Sequence, residues 1–223
     1  MDTYFIRQVG GANKVPNFVV GQTSALSCGA ACLLCTALEL QSTPTVVGLP
    51  ATTPLALLIA SGVPLSVSNA WLAAIYQVSG AGAAGYSLPS GIITAAQYLG
   101  LRATVIMAQT KTMSYLQSKY PHEIATCLPN TIPVAASTLG DLRLDPNQRA
   151  LHCVRIGQTP AVHWVLQRSD NSYMDPAGGA VPLDVAQGGG DRTNRTTLKS
   201  TGQPLLCATM AYHGTGLAIR VQI

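Results

Sequence analysis

Residues 28–35 read CGAACLLC, which places three cysteines at C-x3-C-x2-C spacing. Thiolates so spaced can hold a cubane iron–sulfur cluster, the chemistry of radical enzymes that cleave S-adenosylmethionine. A cluster needs an open loop that wraps it, and GAACLLCTALEL is rich in the strong helix formers Ala and Leu. On a helix the three sulfurs form a stripe rising about 10 Å, too linear to surround one cluster. The chain also lacks the alternating βα pattern of the barrel that such enzymes use. The same spacing therefore reads as one nucleophile, Cys28, at a helix's first turn, where free N–H groups and the positive dipole end favour thiolate. Cys32 and Cys35 then lie on the same side, deeper, as packing. No metal or other cofactor is expected.

A nucleophilic thiol needs a base, a group that orients the base and an oxyanion donor. Gln22 stands six residues before Cys28, and its amide can share an oxyanion hole with the Cys28 backbone N–H. His163, in AVHWVLQRS, is the candidate base, and Asp175, in SYMDPAGG, the orienting group. A three-residue turn at 169–171 sets Asp175 opposite Val165, on the face of His163 and diagonal to it; a two-residue turn would put them on opposite faces. The triad thus requires the odd loop. Bland alternatives stand beside each assignment. Cys28 can be a buried inert thiol, His163 a satisfied core histidine and Asp175 a turn initiator before Pro176. His152 is a rival base, and Asp170 or Asn171 a rival orienting group. His122 and His213 read as surface residues. Trp71 and Trp164 read as core, with Trp164 also placed to shield the base from water.

The elements that must carry these residues divide the chain. Residues 1–21 read as an arm or short strand ending at Val19-Val20-Gly21. Helices follow over about 28–40, with Ser24 or Ser27 as N-cap, then in TPLALLIAS, NAWLAAIYQVS and IITAAQYLG, the last stopped by Gly100. ATVIMA reads as a strand and KTMSYLQSKY as a helix closed by Pro121. From about residue 131, IPVAAST, ALHCVRIG, AVHWVLQRS, SYMDP, PLLCATMAY and GLAIRVQI are short β-rich runs bounded by turn residues. The polar, glycine-rich stretch 186–203 between them reads as a mobile loop. Helices first and strands afterwards predict an α+β fold with an antiparallel sheet. One domain over 1–223 is expected, with a helical half at about 22–120 and a β half at about 131–223.

Composition bounds the function. Of 223 residues 48% are apolar, enough for a well-filled core, and only 10% are charged, against roughly 25% in ordinary soluble domains. The net charge of +4 is scattered and forms no run, so neither a nucleic-acid partner nor a polybasic membrane patch is expected. No apolar stretch is long enough for a membrane span, and the N-terminus lacks the pattern of a signal peptide. Synthesis in the cytoplasm without a leader is expected, with any export by a dedicated secretion system. The six cysteines accordingly read as free thiols, and the Asn194-Arg195-Thr196 sequon carries no weight.

QTSALSCGAAC, then HWVL, then MDPAGG resemble the papain-fold cysteine peptidases, and more narrowly the bacteriocin-processing double-glycine peptidases and related secreted effector proteases of bacterial pathogens. SLPSGIITAAQYLGLRATVI is similar to the middle of that family. The likeness touches residues 22–180 in three blocks, with Ser27 standing where Asp commonly precedes the family's cysteine. It implies Cys28 as nucleophile, His163 as general base and acid, Asp175 as its orienting partner and Gln22 as oxyanion donor. It further implies a thiol hydrolase acting on a protein or peptide substrate, in the manner of a bacterial toxin or effector, with an immunity or inhibitor protein as a further partner. The same constellation supports deamidation and acyl transfer, and the same fold can serve as a non-catalytic peptide-binding module.

Overall fold

The Ala- and Leu-rich run after Ser27 forms helix α1, Cys28–Glu39, with nearly every side chain buried. That burial suits a central helix whose residues carry little polar surface. The computed structural model describes residues 6–9, 17–24, 26–66, 68–80, 85–135, 142–156, 161–170, 173–177, 191–192, 204–206 and 211–223. Ahead of α1, β1 (Ile6–Val9) and β2 (Asn17–Val20) pair antiparallel, so the N-terminal arm is a two-stranded ribbon and not a single strand.

Three further helices pack with α1. Helix α2 is Pro54–Ala60, α3 is Asn69–Ser79 and α4 is Pro89–Tyr98. Their starts follow local chemistry: Thr53 and Ser68 each accept a first-turn N–H, and Pro54 and Pro89 sit where a missing N–H costs nothing. Gly100 ends α4 at φ +74°, and a Cβ there would lie 2.2 Å from the Thr43 carbonyl oxygen, so both conformation and space demand glycine. Strand β3 (Arg102–Ala108) follows, then α5 (Lys111–Lys119), capped by Thr110. Pro121 ends α5 as expected, but it also opens another helix, α6 (Pro121–Cys127). A proline that stops one helix is equally suited to the first position of the next.

The remaining strands are β4 (Thr131–Val134), β5 (Gln148–Ile156), β6 (Val162–Gln167), β7 (Tyr173–Met174), β8 (Asp191–Arg192), β9 (Pro204–Leu206) and β10 (Ala211–Gln222). The sheet runs β4-β3-β10-β5-β6-β7-β8, with β9 also on β10. The α+β class is as expected, with two corrections. The sheet is mixed, because β3 and β4 pair parallel across the α5–α6 crossover. It also draws on both halves, since β3 from the helical half lies between β4 and β10. Helix-sized connections permit parallel neighbours where a hairpin cannot, and the missed α6 hid that crossover. Within the 186–203 stretch, 191–192 form β8 against β7. The rest of that stretch, residues 81–84 of the glycine-rich segment, Asn171, the sequon and Cys207 lie outside the described residues.

The main core gathers α1, α3 and α4 against β3, β5, β6 and β10, around Leu33, Leu34, Trp71, Ile75, Ile92 and Leu151. A smaller cluster including Ile106, Leu142, Leu144 and Ala218 covers the other sheet face. At its C-terminal end α1 carries Glu39, fully buried, which accepts Arg149 Nε at 2.6 Å, Arg168 Nε at 2.8 Å and the Phe18 N–H at 3.0 Å. One carboxylate thus ties α1 to β2, β5 and the end of β6. Among the described residues no helix is long and apolar enough to cross a membrane.

Candidate active site

Cys28 is the first residue of α1. Ser27 precedes it at the cap position but does not cap the helix. Its buried Oγ accepts the N–H groups of Thr23 and Ser24, both at 3.1 Å, and donates to the Ser24 carbonyl at 3.2 Å. It therefore folds the turn before the helix and leaves the first-turn N–H groups without a side-chain cap. No acidic residue stands in that turn, so the positive helix end is presented to the thiol at position 28.

The structure brings Cys28 and His163 together. His163, on β6, is 3% exposed; its Nε2 lies 2.8 Å from Asp175 Oδ1, and its ring is hydrogen-bonded to the Cys28 thiol as well. Burial opposes protonation of this imidazole, but the hydrogen bonds to Asp175 and Cys28 outweigh it and push its pKa up to about 9. The register Leu166↔Met174 and Gln167↔Tyr173 is that of the odd connection, and one step further it sets Asp175 against Val165. Asp175 Oδ1 also accepts the Ala177 N–H at 2.9 Å, so the turn into Pro176 holds the carboxylate still.

Gln22 lies at the same end of the molecule. Its backbone N–H donates to the Pro176 carbonyl at 3.1 Å, joining the segment before α1 to the Asp175 loop. Its side-chain Oε1 is enclosed and has no hydrogen-bond partner among the described residues.

The other cysteines have structural surroundings. Cys32 donates to the Trp164 carbonyl at 3.5 Å, and burial, then the nearby Cys28, raises its pKa well above the thiol range. Cys35 donates to the Phe18 carbonyl and to Glu39. Burial pushes Cys153 and Cys127 up to about 12. A neutral thiol is a poor nucleophile, so the sulfurs of Cys32, Cys127 and Cys153 pack. Of the rivals, His152 is buried, shares its Nε2 with Gln167 Oε1 at 2.6 Å and is lowered to about 4 by burial. His122 is exposed and Asp170 half-buried; the side chain of His213 lies outside the described residues.

Nothing in the sequence singled out Ser87. It is buried, its carbonyl accepts the Trp164 indole N–H at 2.9 Å, and its side chain lies over Gly29. Beside it opens an apolar cleft of about 470 Å³, counting the solvent at its mouth, lined by Tyr86, Tyr120, Ile124, Val162, Trp164 and Leu217 among others. Val162 and Trp164, which line it, are the sequence neighbours of His163 on β6.

Such an arrangement can perform nucleophilic catalysis: a thiol at a helix start, an imidazole in contact with it, and a carboxylate on the imidazole Nε2. The comparisons agree in kind. A family model described as "Invasion plasmid antigen J, cysteine protease" matches residues 21–219. The chain is 36% identical over 99 residues to "Cysteine protease IpaJ" of Shigella flexneri, a match covering 43% of this chain and 37% of that protein. The aligned region is therefore little more than a third of that relative's length. No solved structure matches. With the family match running through both halves of the sheet and helix assembly, the chain belongs to the invasion plasmid antigen J cysteine protease family.

Proposed function

We propose that this protein is a papain-like cysteine peptidase that hydrolyses a peptide or amide bond with Cys28, His163, Asp175 and Gln22. The observation that carries the reading is the buried His163 imidazole, hydrogen-bonded both to the Cys28 thiol and to Asp175. In the first half-reaction the Cys28 sulfur attacks the carbonyl carbon. The Gln22 amide and the Cys28 backbone N–H stabilise the oxyanion. The His163 imidazolium gives its proton to the leaving nitrogen as the C–N bond breaks, leaving a thioester. Water then attacks the thioester carbon while His163 takes its proton, and the acid departs with Cys28 restored. The apolar cleft beside Trp164 receives an apolar group of the substrate protein. The charge-poor composition and the family's name support delivery from a bacterial cell as an effector; recovery only from the producer's cytosol under secreting conditions counts against that.

An epoxysuccinate inhibitor tests the catalytic reading, read by mass spectrometry of the intact chain. Selective labelling of Cys28 that disappears in His163→Ala is expected. Labelling indifferent to that histidine overturns the hydrolase and favours a non-catalytic peptide-binding module.

A further inference from the structure

Cys28 and His163 come from distant parts of the chain, so something must hold α1 at a set distance from β6. We propose that Gly29, Ser87 and Trp164 form a clamp that positions the thiol–imidazole pair, with Ser87 as its centre and neither Ser87 nor Trp164 touching the reacting atoms. The inference rests on the pairing proposed above.

Ser87 is fastened on three sides. Toward α1 it sits on Gly29, the residue after the nucleophile: a Cβ there would lie 2.5 Å from Ser87 Cβ, 2.9 Å from its Oγ and 3.1 Å from Ile92 Cδ1. Only a residue without a side chain lets the segment 85–88 lie this close to the start of α1. Toward β6 the Ser87 carbonyl accepts the indole N–H of Trp164, the residue after His163, at 2.9 Å. Toward α3 its Oγ meets Ser79 Oγ at 3.4 Å, and the next residue's N–H donates to the Ser79 carbonyl at 3.0 Å. All three contacts are enclosed, with Ser87 3% and Trp164 4% exposed. A buried indole N–H must keep its acceptor or bear the cost of an unmade hydrogen bond. Movement of β6 away from α1 would therefore strip Trp164 of its partner, and movement toward α1 is blocked by the Gly29 contact. The residues adjacent to the nucleophile and to the base are thus gauged against one serine, which sets the approach of sulfur to imidazole.

The test is the pH titration of the His163 imidazole, followed by NMR of its ring protons on the 223-residue chain, for wild type, Trp164→Phe and Gly29→Ala, with His163→Ala to identify the signal. Trp164→Phe keeps the ring packing and deletes the N–H; Gly29→Ala drives a methyl group into Ser87. In the wild type an inflection near pH 9, absent from His163→Ala, reports the titration of the paired imidazole. Both clamp variants are expected to lose that inflection, the imidazole giving up its proton at lower pH once its thiol partner has moved off, with far-UV circular dichroism unchanged. A purely structural role would lower the melting temperature and leave the inflection in place. Should Gly29→Ala fail to fold, Trp164→Phe alone decides. An inflection retained in folded Trp164→Phe overturns the clamp and leaves the pair standing; a wild-type profile lacking it overturns both.

Discussion

His163 Nε2 and Asp175 Oδ1 meet at 2.8 Å, and the same oxygen accepts the Ala177 N–H at 2.9 Å. The carboxylate is thus held by its own turn and by the imidazole at once. Asp175→Asn keeps the shape and removes the charge. The His163 pKa is expected to fall from about 9 by on the order of 1–3 units. Peptide hydrolysis should drop by on the order of 10²-fold or more. A His163 ring-proton titration superimposable on the wild type would show that Asp175 does not govern the histidine.

Stability should fall on both sides of neutrality, with one histidine contributing to each limb. His163 holds its proton more tightly folded than unfolded, so its contribution is complete below about pH 6.5 and is lost as pH rises through about 9. His152 is the reverse: lowered to about 4, it favours the folded state fully above about pH 6.5 and loses that contribution as pH falls toward 4. Thermal melts of His163→Ala should lack the loss between about pH 6.5 and about 9, keep the later loss that the buried thiols of Cys127 and Cys153 add toward about 12, and keep the acid one. Two unchanged limbs in that variant would contradict the assignment.

Gln22 is expected to act on the transition state more than on binding. Gln22→Ala should lower kcat by on the order of 10²–10³-fold with KM nearly constant. A rise in KM alone, at constant kcat, would make it a substrate contact and remove it from the oxyanion site.

Glu39 lies far along α1 from Cys28 and serves the framework. Removing its carboxylate in Glu39→Ala leaves two buried guanidinium groups, Arg149 and Arg168, without their shared partner. The expected cost is about 3–5 kcal/mol, measurable by urea unfolding. A loss below about 1 kcal/mol would place the weight of these arginines on their carbonyl contacts.

Cys32→Ala discriminates packing from chemistry at the cysteine stripe. A thiol held neutral by burial contributes no nucleophile, so epoxysuccinate labelling of Cys28 should persist and stability should fall by about 1 kcal/mol. Loss of labelling in folded Cys32→Ala would implicate the second sulfur in the reaction.

Much of this was legible in the chain because the signals are local. Ala and Leu between Cys28 and Glu39 dictate a helix, and a helix cannot wrap its cysteines around a cluster. Short apolar runs bounded by turn residues, ALHCVRIG and AVHWVLQRS, read as strands, and hairpin geometry decides on which side Asp175 stands relative to His163. The missed α6 was also local, but Pro121 carries two meanings, end and beginning, and only the following residues in their packed setting choose between them. Ser27 has the composition of a cap and spends its hydroxyl on the turn before it, a choice made by where Thr23 and Ser24 are held.

What the residues alone determined is the inventory: which side chains can attack, take a proton, orient and donate. The spacing Gln22 to Cys28 and His163 to Asp175 lies within single turns and neighbouring strands, where covalent geometry limits the outcomes to a few. The approach of Cys28 to His163 spans 135 positions of sequence, and no local rule governs it. It was decided by β3 entering the sheet beside β10, by Glu39 drawing two arginines onto the end of α1, and by Ser87 lying between Gly29 and Trp164. Those contacts exist only after burial has removed water from both partners, which is why no stretch of the chain announces them.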